Sequence, residues 1–223
     1  MGASLDLNPV LSFLAQLKEN NQRPWFQAHR AEYELARGQF EMLVGRLIEE
    51  FSFFEGLAGV TPEECVMRIY RDVRFSKDKS PYRTTMGASI GPGGRKSSVF
   101  SYYFQVGCQG ETMLAGGLYD PTPEHLARFR SAIDDDPAPF KAVIGDQDFQ
   151  RYYGAVSGDR VKTAPQGYSR EHPEIELLRL KQVFAMHSWA DEAVLAPGFV
   201  AEVVAAARAL KPFLDYLETT VRS

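Results

Sequence analysis

Apolar residues recur every three to four positions at the start of the chain. Asn8-Pro9 reads as a helix start, Asn as N-cap and Pro at the first helical position. Val10, Leu11, Phe13, Leu14 and Leu17 form the stripe behind it. Asn20-Asn21 interrupts the pattern. A second helix is predicted from Arg23-Pro24 towards Phe54, carrying Trp25, Phe26, Tyr33, Phe40, Leu43, Val44, Leu47, Ile48 and Phe51. Such a helix buries one stripe against a sheet or another helix.

The middle changes period. From Val66 to Phe75 residues alternate as in a strand, with Met67, Ile69, Val73 and Phe75 on one face and Arg68, Tyr70, Asp72 and Arg74 on the other. Met86 to Ile90, Val99 to Val106 and Thr112 to Leu118 are further strand candidates. Gly91-Pro92-Gly93-Gly94 and Gly107 to Gly110 separate them, which favours hairpins over helical crossovers. Helix returns at Glu124 to Ile133, Asp134 to Asp136 ending the run. Short helical or irregular pieces fill 138–167, and a turn or two of helix fits Pro173 to Leu178. A last strand is expected at Lys181 to Met186 and a long final helix at Pro197 to Leu217. The pattern predicts an α+β fold: a mostly antiparallel sheet from the central region, packed by N- and C-terminal helices. With no repeat, low-complexity tract or linker to cut the chain, a single domain over residues 1–223 is expected.

Composition narrows the classes. The chain has 223 residues, 44% apolar and 24% charged, enough to bury a core without staples. Two cysteines, Cys65 and Cys108, are too few for a disulfide scaffold and read as buried thiols. The net charge of −4 argues against a general nucleic-acid or membrane-surface binder. No apolar run of membrane-spanning length occurs, and residues 1–8 lack signal-peptide character, so a cytoplasmic location is expected.

One stretch departs from that balance. Arg68 to Arg83 holds six basic residues (Arg68, Arg71, Arg74, Lys77, Lys79, Arg83) and two acidic ones (Asp72, Asp78), a local +4 that leaves −8 for the remainder. In the strand reading Arg71 falls on the otherwise apolar face. A guanidinium there needs a carboxylate or a bound anion beside it, and its fork of donors suits carboxylate and phosphate. Ser76 to Tyr82 reads as a turn that brings Lys77 and Lys79 over a ligand. Three readings stand: a site for a phosphate- or carboxylate-bearing small molecule, a structural ion-pair network, or a patch that docks an acidic protein or a nucleic-acid backbone. In the first, Arg68, Arg71, Arg74, Lys77, Lys79 and Arg83 supply charge and donors, Asp72 and Tyr82 orient the ligand, and the Gly116-Gly117 backbone forms a wall. Any chemistry would fall to Asp72 or Asp78 with a tyrosine, the arginines stabilising negative charge.

Asn20-Asn21, Trp25-Phe26 and Tyr33, the run from Arg71 to Arg83, and Gly116-Gly117-Leu118-Tyr119-Asp120-Pro121 together resemble the bacterial and fungal family called domain of unknown function 2461. The likeness extends from about Leu11 to the C-terminal helix. It implies a single α+β domain with a shared surface at the basic motif, and supplies no catalytic role for any residue.

Other signals are weak. Gly91 to Lys96 lacks the ending and helix of a P-loop and reads as a hairpin tip. Trp25, His29 and Tyr33 share a helical face, either core or the wall of a site. His187, beside Trp189 at the end of a candidate strand, is the histidine best placed to enter a pocket. No histidine spacing suits zinc, and neither a nucleophile elbow nor a dinucleotide turn occurs, so no metal and no cofactor is expected.

Overall fold

The computed structural model describes residues 5–96 and 100–222. About half is helix and 15% strand, and the class is α+β: a four-stranded antiparallel sheet flanked by N- and C-terminal helices. The helices are α1 (Asn8–Glu19), α2 (Arg23–Ala28), α3 (Arg30–Phe51), α4 (Pro62–Cys65), α5 (Pro123–Asp135), α6 (Ala138–Ile144), α7 (Gln147–Tyr153), α8 (Ile175–Leu178), α9 (Asp191–Leu195) and α10 (Phe199–Arg222). The strands are β1 (Thr85–Ile90), β2 (Tyr102–Gly107), β3 (Thr112–Leu118) and β4 (Val183–Trp189), in the order β1-β2-β3-β4. Contacts divide the chain into two compact units. The first comprises the described residues of Met1–Ser97, Tyr102–Leu114 and Ser188–Ala205; the second, those of Ser98–Ser101, Ala115–His187 and Ala206–Ser223.

In the first unit α1 packs on α3 and β2. Phe13, Leu14 and Leu17 from α1, Phe40, Leu43 and Val44 from α3, and Ala88, Phe104 and Val106 from the strands are buried. Tyr102 and Phe104 share the core face of β2, while Tyr103 between them hydrogen-bonds Gln105. The turn after β2 closes on Thr112: its fully buried hydroxyl donates to the Gly107 carbonyl (2.9 Å) and accepts from the Gly107 N–H (3.1 Å). Asp191 completes that turn by accepting from the N–H groups of Gln109 and Gly110.

In the second unit Phe129, Ile133, Phe140, Phe149 and Phe213 gather the helices into an aromatic core. The Arg130 guanidinium donates to the carbonyls of Leu178 (2.8 Å) and Leu180 (3.0 Å), tying α5 to the end of α8 and the residues after it. Tyr153 donates to the Ala206 carbonyl, and burial pushes its phenol well above the ordinary value.

Several expectations need correcting. Asn8 is the first residue of α1 rather than its cap; Leu7 holds that place, and Asp6 receives both the Asn8 N–H and its side-chain amide. The long second helix is broken at His29, whose backbone leaves helical geometry (φ −106°, ψ 25°). The strand expected over 66–75 does not form. Only isolated bridges Val66↔Ala88 and Tyr70↔Tyr82 pair this stretch, and beyond Arg71 the chain curls into a loop. Consequently Phe75, expected on an apolar face, is 96% exposed. The strand placed at Val99 to Val106 begins at Tyr102, and Val99 lies outside the described residues. Asp134 and Asp135 lie within α5 rather than beyond it, and Asp136 accepts from the Ala138 N–H.

Candidate functional site

The loop from Arg71 to Ser80 is held by its own polar groups. Arg71 donates through Nη1 to the Asp78 carboxylate and to the Ser80 carbonyl (3.2 Å), and through Nη2 to Ser76 Oγ at the limit of 3.5 Å. Asp78 Oδ1 accepts from the Ser80 N–H (2.9 Å) and hydroxyl (2.6 Å). These bonds from Ser80, then the Arg71 guanidinium, hold the Asp78 carboxyl well below the usual carboxylate range. Asp72 accepts from the Arg74 N–H and guanidinium (2.7–3.2 Å), which lowers its carboxyl as well. Lys79 Nζ reaches back to the Val73 carbonyl at 3.0 Å. Of the six basic residues, then, Arg71, Arg74 and Lys79 already serve the loop. Arg68, Lys77 and Arg83 make no side-chain hydrogen bond or ion pair among the described residues.

The base of the loop is clamped by Asn21. Its side-chain amide donates to the Tyr82 carbonyl (2.9 Å) and accepts from the Tyr82 N–H (3.1 Å), imitating a strand partner. The Tyr82 ring, 2% exposed, lies flat on Phe26 at 4.0 Å between centroids, with Tyr70 at 5.4 Å. Tyr82 is therefore a structural anchor, its hydroxyl pushed up by burial. Trp25 stacks on His29 at 4.0 Å across the break between α2 and α3, and the Trp25 and Tyr33 rings both pack on Phe13, at 6.0 and 5.7 Å between centroids.

Two hollows border this stretch. One, about 350 Å³, is lined by Lys18, Asn21, Arg71, Asp78, Ser80, Tyr82 and Arg83, and by Thr84 and Thr85. Lys18 enters it from the end of α1, where Glu111 (2.9 Å) and Gln109 (2.9 Å) hold its ammonium. The other, about 210 Å³, takes Arg68 together with Arg37, Arg95, Tyr33 and Tyr70. The structure thus brings Arg71, Tyr82 and Arg83 together and puts Arg68 in a different hollow. Asp72, Arg74, Lys77 and Lys79 line neither.

Gly116 and Gly117, expected as a wall of the site, also line neither. Both are packing positions of the second unit. A side chain on Gly116 would meet Leu210 and Leu214 of α10; on Gly117 (φ 124°) it would meet the Val183 carbonyl and Phe184 Cα on β4. His187 meets the Tyr152 carbonyl through Nδ1 (2.7 Å) and borders neither hollow. Burial raises both thiols, that of Cys65 to about 11. Among the described residues no group of three or more His, Cys, Asp or Glu side chains is placed to hold a metal ion, and no helix is long and apolar enough to cross a membrane.

The family described as conserved hypothetical protein (DUF2461) matches residues 9–216. The chain belongs to it. Residues from the motifs that carried the resemblance cooperate in the first unit: Asn21 clamps Tyr82, Phe26 stacks on it, and Arg71 ties the loop that follows. Comparison with curated proteins and with solved structures gave no match.

Lys18, Asn21, Ser80, Thr84 and Thr85 were not expected in the site. Lys18 ends a helix more than fifty residues before Arg71, and nothing local in the sequence announces that the two share a hollow.

Proposed function

We propose that the hollow lined by Lys18, Arg71 and Arg83 binds the phosphate or carboxylate group of a small, polar molecule. The observation that carries this reading is Arg83: a guanidinium with no protein partner among the described residues, set in a hollow whose other walls are mostly hydrogen-bonding groups. Lys18 and Arg71 are each paired with a carboxylate, yet each keeps donors in reserve, since an ammonium has three and a guanidinium five. An anion here would take the Arg83 fork and the spare donors, while Ser80, Thr84 and Thr85 suit a hydroxylated body. The reading assigns binding and no reaction.

Thermal denaturation with inorganic phosphate, pyrophosphate or citrate, at constant ionic strength, tests it. Stabilisation is expected to grow with the logarithm of ligand concentration, raising the melting temperature and reaching about 2.7 kcal/mol at ~100 times Kd, and to be lost in Arg83→Ala. Absence of any rise in melting temperature, or an equal rise in Arg83→Ala, would overturn the reading.

A second reading rests on the loop tip. Phe75 stands 96% exposed with the Arg74 guanidinium 5.9 Å from its ring centre and Lys77 nearby in sequence, a combination that suits an acidic partner surface. Binding of a labelled polyglutamate peptide that survives Lys77→Glu unchanged would remove it.

A further inference from the structure

The hollow at Arg68 has a different chemistry from the one at Arg83. Its floor is apolar: Phe40, Val66, Ile69 and Met86 are all buried, and Tyr33 is 7% exposed. Charges stand around it. Arg37 is paired with Glu41 at 2.8 Å, and Arg95 donates to the Val66 carbonyl. Arg68 is the guanidinium of this hollow that makes no hydrogen bond or ion pair among the described residues.

We propose that this hollow is a separate site for a small monocarboxylate with an apolar or aromatic body. Burying that body on the Phe40–Met86 floor removes apolar surface from water on both sides. The carboxylate would accept two parallel N–H bonds from the Arg68 fork, the geometry in which a guanidinium exceeds an ammonium. Tyr70, 45% exposed, offers a ring to cover the body. The volume of about 210 Å³ restricts the occupant to a molecule of one ring or a short chain. Glu41 and Glu63 border the same hollow, so the second charge of a phosphate monoester would be opposed there, whereas a single negative charge is balanced by the three guanidiniums. This inference does not depend on the anion site at Arg83, because Arg68 and Arg83 line different cavities.

Phenylacetate, titrated calorimetrically into the full chain at constant ionic strength, is the probe, with phenethylamine as its cationic counterpart. Saturable phenylacetate binding is expected, weakened at least ~10-fold by Arg68→Ala, partly retained by Arg68→Lys, and unaffected by Lys162→Ala, an exposed residue that lines neither hollow. Arg68 is exposed, so the variant should keep the wild-type melting temperature, and that measurement confirms an intact fold. No saturable phenylacetate binding, equal affinity in Arg68→Ala, or phenethylamine binding as tightly as phenylacetate would each overturn the proposal.

Discussion

Between Arg71 and Ser80, order comes from side-chain hydrogen bonds in half-exposed surroundings; at Gly116 and Gly117 it comes from having no side chain at all. Both regions belong to the motifs that carried the resemblance, and both were expected to serve one site. In the loop, Arg71 pairs with Asp78, Arg74 with Asp72 and Lys79 with the Val73 carbonyl, and the chain's interior is left untouched. At the glycines, the backbone of β3 approaches β4 and the α10 leucines too closely for a Cβ. A polar loop tolerates loss of a single bond by solvation, whereas a close backbone approach has no water to fall back on. The same resemblance therefore holds two kinds of residue, some fixing the fold and some shaping a surface.

The sharpest way to break the comparison is Gly117→Ala. A side chain at φ 124° is strained, and it would collide with backbone atoms of Val183 and Phe184, which cannot swing aside. A loss of about 3 kcal/mol is expected, lowering the melting temperature by about 6–12 °C. Gly116→Ala should cost less, roughly 1–2 kcal/mol, because Leu210 and Leu214 can change rotamer. Melting temperatures for both variants within error of wild type would show that β3 is not held as closely as described.

Next in size is Arg71→Ala, which removes the hub of the loop. A fall in melting temperature of about 2–4 °C is expected, against none for Lys96→Ala, whose side chain makes no hydrogen bond or ion pair among the described residues. The clearer reading is local: limited proteolysis should cut 72–80 faster in Arg71→Ala. Equal cleavage of the two variants would mean that the Arg71–Asp78 pair does not order the loop.

Acid should loosen the same loop. The Asp78 and Asp72 carboxyls lie below their ordinary value of 3.8 in the folded chain. Their contribution is therefore complete above that value and is lost as pH falls through the lower, native one. Amide exchange across 72–80 should be unchanged between pH 7 and pH 5 after correction for intrinsic rates, and quicken from about pH 4 downward. Quickening already at pH 6 would point to another titrating group. Asp78→Asn should remove most of the acid dependence.

How much of this was legible follows from where each signal resides. β1 and β3 were readable because a glycine turn ends the one and precedes the other, Gly91 to Gly94 after β1 and Gly107 to Gly110 before β3, and α5 and α10 because their apolar stripes were long. The stretch 66–75 imitated a strand: charged and apolar residues alternate there for reasons of loop chemistry. A carboxylate seven positions beyond Arg71 curls the chain, and single-residue periodicity cannot register such a bond. The break at His29 carries no Gly or Pro to mark it. For the candidate site, the charge excess pointed to the stretch that the two hollows border. It could not divide six basic residues into those that hold the loop and those that face a hollow, because that division depends on partners such as Lys18, Thr85 and Arg37 brought in by tertiary packing.

The smallest effect is expected at Phe75, where the sequence pattern placed a core residue. Replacing a buried phenylalanine by a small residue costs ~3–5 kcal/mol. At 96% exposure Phe75 has little burial to lose, and the Arg74 guanidinium, 5.9 Å from its ring centre, is itself mostly in solvent. Phe75→Ser should therefore change stability by no more than about 0.5 kcal/mol in either direction. The contrast with Phe26, fully buried beneath Tyr82, makes the measurement decisive: Phe26→Ser should destabilise strongly while Phe75→Ser does not. Comparable losses in chemical denaturation would place the Phe75 ring against the body of the protein and close the case for an acidic partner at the loop tip. A neutral Phe75→Ser leaves that ring without a folding role, and only contact with another molecule would then take it out of water.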